Sequence, residues 1–180
     1  YTMRHLIYST LCLLGLATTA QSTILINNVV IFNGKDEKTI TGNVLVVNNL
    51  IQKISTSPIP TNKSGNTVII DGKGKFLMPG LIDAHWHAIL TASTMNELMY
   101  AEPGYVFIKA GDEAANTLMR GFTSVRDLGG PSFGLKKAID DGVIDGPRIW
   151  PSGSIISQTS GHGDFRSVNE RPVSLGGCLH

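Results

Sequence analysis

Cysteine is scarce in this chain. The 180 residues hold two, Cys12 and Cys178. Cys12 sits in an apolar stretch that reads as a leader, and once that stretch is removed Cys178 has no partner for an internal disulfide. Charge of one sign is also lacking. The formal net charge is +1, and no run of Lys or Arg builds a face for phosphates, which argues against nucleic acid as a partner. A membrane-spanning run is missing as well: Leu6 to Ala17 is apolar but shorter than the roughly 20 residues a span needs.

What stands at the front is a leader pattern. Arg4 and His5 make a short basic start, the apolar stretch follows, and small residues come at Ala17, Thr18 and Ala20. Met3 to Ala20 therefore reads as a secretory signal peptide. The alternatives are an uncleaved anchor or a buried core strand. Tyr1 and Thr2 precede the only sensible start and look like an upstream remnant. Ser9, Thr10 and Leu11 do not prepare Cys12 for lipid attachment. The expectation is an exported product, periplasmic or secreted, with no stable membrane anchor after cleavage.

Past residue 22 the chain reads as strands and turns. Ile24 to Phe32 is apolar and β-branched, Asn33-Gly34 is a turn signal, and Thr39 to Val47 and Leu50 to Ile54 follow as strands. Ser55 to Asn66, with Pro58, Pro60 and Gly65, reads as a surface loop, and Thr67 to Asp71 as a further strand. From Phe76 the pattern changes. Val106 to Arg120 carries Phe107, Ile108, Ala115, Leu118 and Met119 as a helical stripe interrupted by Gly111. Phe122 to Asp127 reads as a short buried strand, Phe133 to Asp140 as a helix and Arg148 to Ile156 as another strand. Strands alternating with helices imply a parallel α/β sheet.

The densest chemistry lies in Met78-Pro79-Gly80-Leu81-Ile82-Asp83-Ala84-His85-Trp86-His87. A Pro-Gly turn leads into a strand to which Leu81 and Ile82 give a buried body. Side chains alternate along a strand, so Asp83, His85 and His87 line one face. Two imidazoles on one face suit zinc and several other divalent ions. An ordinary pair, one histidine packed and one wet, is the alternative.

This run resembles the first-strand metal signature of the amidohydrolase superfamily, and of its imidazolonepropionase-like and prolidase-like branch. Gly121-Phe122-Thr123-Ser124-Val125-Arg126-Asp127 and Ser160-Gly161-His162-Gly163-Asp164 are similar to further segments of that branch. The resemblance implies a (β/α)8 TIM-type barrel beginning at residue 78, preceded over 23–77 by part of a small β-sandwich, with the active site at the carboxyl ends of the barrel strands. It implies one or two divalent ions, zinc foremost, with His85 and His87 binding the more buried one and Asp83 orienting the strand end behind them. Asp127 is left open as a helix cap, a partner for Arg126 or a substrate contact. His162 is either solvated or faces the substrate.

The implied reaction is hydrolysis of a carbon–nitrogen bond by metal-activated water in a small-molecule, cyclic-amide or dipeptide-like substrate. Deamination of a ring amidine within the same superfamily, or a non-catalytic relic used for binding, is the alternative. The other expected ligands belong to later strands: a carboxylated lysine after the fourth, histidines on the fifth and sixth, an aspartate on the eighth. A complete barrel takes about 250 residues. The chain is therefore expected to be the N-terminal part of an enzyme, inactive and prone to aggregate by itself.

Overall fold

In a computed structural model of the chain, the structure describes residues 22–61, 67–158 and 161–164. The leader expectation lies outside these residues. Two compact units divide at Pro79/Gly80.

The first unit is one sheet of five strands among its described residues. β1 (Thr23–Ile31), β2 (Ile40–Val47) and β3 (Leu50–Ser55) form an antiparallel meander, while β4 (Thr67–Asp71) and β5 (Phe76–Leu77) return parallel to β1. The period-2 pattern buries Val29, Ile31 and Val44 as a small core. A bulge interrupts β1 between Ile26 and Val29, where Asn28 adopts a positive φ of 53°. Asn tolerates that conformation better than most residues, and the side-chain amide of Asn28 donates to Asp71 Oδ1 at 3.0 Å. This hydrogen bond, followed by the Lys73 backbone amide, holds the Asp71 carboxyl below its ordinary value. Leu50, Ile51 and Phe76 stay exposed.

The second unit is parallel α/β. β6 (Leu81–Trp86), β7 (Phe122–Asp127) and β8 (Arg148–Pro151) pair in that order, all parallel. α2 (Pro103–Met119) links the first pair of strands and α3 (Phe133–Asp140) the second. Gly80 must lack a side chain, since a Cβ there would sit 2.0 Å from Thr123 Oγ1. The core gathers Trp86, Ile89, Val106, Ala110, Val125 and Ile149 between helices and sheet.

Four expectations are corrected. Leu81 and Ile82 are not a buried body but are 40% and 73% exposed, because β6 is an edge strand among the described residues and the core begins at Trp86. The buried face of α2 is not the stripe of large residues but Val106, Ala110, Ala114 and Thr117, whereas Ile108 and Met119 point outward. Small side chains let the helix approach the sheet closely. Gly111 does not interrupt α2, and β8 ends at Pro151, short of Ile156. A helix also appears that periodicity did not announce, α1 (Met95–Tyr100).

Its signal was a capping box. Thr94 Oγ1 accepts the Glu97 amide while Glu97 accepts the Thr94 amide. Glu97 also binds Lys109 of α2 at 2.9 Å, joining the two helices. The Lys109 ammonium, then the Thr94 amide and hydroxyl, hold the Glu97 carboxyl at about 2, against an ordinary value of 4.5. A depressed carboxylate stabilises the fold above its unfolded value and loses that contribution as pH falls through the folded one. The melting temperature of the wild type is therefore expected to drop between about pH 4.5 and about pH 2 by more than that of Glu97→Gln. Identical pH slopes for the two proteins would contradict this linkage.

Candidate metal centre

His85 is the penultimate residue of β6 and His87 the first beyond it, so the strand end delivers both rings. Their centroids lie 5.3 Å apart in an edge arrangement with the planes at 69°. His85 is exposed and His87 half-buried. His87 Nδ1 is buried and has no hydrogen-bond partner among the described residues. An unpaired buried polar atom costs about 1–3 kcal/mol, so the fold keeps this nitrogen dry without using it for its own cohesion.

The backbone beneath the rings is tied on every side. Asp83 Oδ1 accepts the His85 amide at 2.9 Å, which places Asp83 behind the strand end. The Leu128 amide donates to the Trp86 carbonyl at 2.9 Å. The His87 carbonyl accepts both the amide of Thr91, at 3.0 Å, and its hydroxyl, at 2.8 Å. The Ala88 amide donates to Asp127 Oδ1 at 3.3 Å. Of these partners, Thr91 and Leu128 escaped the sequence reading, since no local pattern marks a residue whose task is to hold a distant or turning backbone.

Asp127 is fully buried at the end of β7. It also accepts the Gly129 amide at 3.4 Å and the Ser132 hydroxyl. Ser132 occupies the N-cap position of α3 but makes no side-chain cap bond to the helix; its hydroxyl donates to Asp127. The Arg126 guanidinium turns elsewhere, with Nε donating to the Ala84 carbonyl at 2.9 Å. His162 lies exposed in the turn after β8. The structure thus brings His85, His87 and Asp83 together, adds Asp127 through the backbone, and shows no joined metal-binding group of three or more His, Cys, Asp or Glu among the described residues.

Two imidazoles, one with a buried orphan nitrogen, fit the nitrogen portion of a divalent-ion shell. The Asp83 bond to the His85 backbone fits too, because ligating histidines need their orientation fixed from behind.

Parallel strands joined by helices, with a histidine pair at the carboxyl end of the first strand, are the opening units of a TIM-type (β/α)8 barrel. The chain belongs to the amidohydrolase family, whose model matches residues 76–175. An ochratoxinase from Aspergillus niger is 38% identical over 92 residues, which are 49% of this chain and 19% of the ochratoxinase. A 5'-deoxyadenosine deaminase from Methanobrevibacter smithii is 39% identical over 70 residues, 39% of this chain and 15% of the deaminase. The crystal structure of a prolidase complexed with N-methylphosphonate-L-proline superposes with a TM-score of 0.74 at 31% identity, over 84% of this chain and 37% of the prolidase. The chain therefore spans well under half the length of each of these proteins.

Proposed function

We propose that this chain carries the first metal-binding element of an enzyme that hydrolyses a carbon–nitrogen bond in a small-molecule or dipeptide-like amide, with a divalent ion, zinc foremost, as cofactor. The observation that carries the reading is the histidine pair at the end of β6, with His87 Nδ1 buried and unpaired among the described residues. The prolidase likeness, with its proline phosphonate ligand, supports an amide over a ring amidine.

His85 and His87 would hold the ion by their imidazoles. When bound, such an ion supplies Lewis acidity, lowering the pKa of its water to about 7 and polarising the carbonyl. Asp83 keeps the His85 backbone from turning. His162, in its exposed turn, is assigned to the substrate side. Residues 3–20 add export to the proposal, and the 180 residues alone are assigned no turnover.

The test is metal analysis of the purified full-length protein, with parallel assays on Xaa-Pro dipeptides, N-acylated amino acids and 5'-deoxyadenosine. Bound divalent metal with amide cleavage is the expected result. Ammonia release from the nucleoside without amide cleavage would make the protein a deaminase. A metal-free protein active on none of these compounds would sink the enzymatic reading.

A further inference from the structure

Metal-dependent hydrolysis as proposed uses His85 and His87 and leaves Asp127 without a task, although this carboxylate has no solvent exposure. A buried carboxylate is expensive unless it is hydrogen-bonded. Here its bonds go to groups that shape one spot. Oδ1 accepts the amides of Ala88 and Gly129, and Oδ2 accepts the Ser132 hydroxyl. Ala88 is the residue directly after His87, and it lies 39 positions from Asp127 in sequence. The next tie is parallel to it, from the Leu128 amide to the Trp86 carbonyl. At the other end of the pair, Asp83 accepts the His85 amide. Two carboxylates thus bracket the backbone from His85 to Ala88, and the histidine at the Asp127 end is the one whose Nδ1 is buried and unpaired among the described residues.

We propose that Asp127 is a positioning residue of the metal centre: by accepting the Ala88 amide it fixes the backbone that carries His87 and so aims that imidazole at the ion. The inference rests on the proposed metal-dependent function. A carboxylate suits the task because all three of its neighbours donate, and an ionised acceptor makes stronger bonds than a neutral one. Ligand distances at a metal tolerate errors of only about 0.2 Å, so a small drift of the His87 backbone is enough to weaken the site.

The test uses the full-length protein and measures zinc affinity by chelator competition, together with thermal stability and kcat and KM. Asp127→Ala is expected to weaken zinc binding about 10- to 100-fold, the range found when groups that orient metal ligands are removed. Asp127→Asn, which keeps an acceptor oxygen for the Ala88 amide, is expected to restore affinity to within about threefold of wild type, well inside that range. Leu135→Ala, in the core of the same unit, supplies a destabilised control that should leave zinc affinity unchanged. Wild-type zinc affinity in Asp127→Ala, or an equal loss in Leu135→Ala, overturns the positioning role while leaving the metal site standing. A wild type that binds no zinc overturns the proposed function and this inference with it. Should Asp127→Ala fail to fold, Ser132→Ala carries the comparison. It frees the carboxylate to rotate and is expected to weaken zinc about threefold or more, toward the lower end of the same range, and unchanged affinity overturns the role.

Discussion

Full-length protein carrying His87→Ala is expected to purify without its divalent ion and to lose more than about 100-fold in kcat/KM, beyond the 10- to 100-fold cost of removing a group that only orients a ligand. The stability of the metal-free forms should move the other way. His87 Nδ1 is buried without a partner among the described residues, a burden of about 1–3 kcal/mol in the absence of a ligand. Metal-free His87→Ala should therefore melt no lower than metal-free wild type, even though a half-buried ring has been removed. Added zinc should raise the melting temperature of the wild type and leave the variant where it was. His85→Ala should lose metal in the same way, but its exposed ring brings no compensating relief. Turnover and zinc content at wild-type levels in His87→Ala would remove the histidine pair from the active site.

The second large effect is on stability. Asp127→Ala is expected to cost about 3 kcal/mol or more, because three buried donors each lose an acceptor at about 1–3 kcal/mol apiece. The donors are the amides of Ala88 and Gly129 and the hydroxyl of Ser132. Urea unfolding of the full-length protein would read this as a fall in midpoint at constant slope. Asp127→Asn should recover most of the loss. An Asp127→Ala midpoint equal to wild type would mean that water enters and replaces the carboxylate, and the bonds drawn here would carry no net weight.

Much of the site was legible before any coordinates. Strand alternation is local, so Asp83 and His85 had to share a face once Leu81–Trp86 was a strand, and the ring of His87, just past the strand end, lies with its centroid 5.3 Å from that of His85. The strand–helix–strand rhythm and its parallel sheet were equally plain, with β7 and α3 at the bounds expected. α1 was legible in principle from Thr94 and Glu97, three apart, and was missed because the helix is too short to show a period.

The role of Asp127 and the buried face of α2 were not written locally. A lone carboxylate before a glycine pair fits a cap, an ion pair or a substrate contact equally well. The choice depends on Ala88, Gly129 and Ser132 arriving together, one of them from a strand end 39 residues away. In α2, size misled: Ile108 and Met119 carry more apolar surface than Ala110 and Ala114, yet the alanines are buried. A helix lies down on a sheet where its side chains permit close approach, and that depends on the opposing surface. The sequence by itself determined the strands, the histidine pair and its shared face, because each follows from the geometry of a few consecutive residues. Which groups are dry, and which carboxylate serves the backbone, was decided by tertiary structure, because desolvation and hydrogen-bond satisfaction belong to atoms that only the folded chain brings into contact.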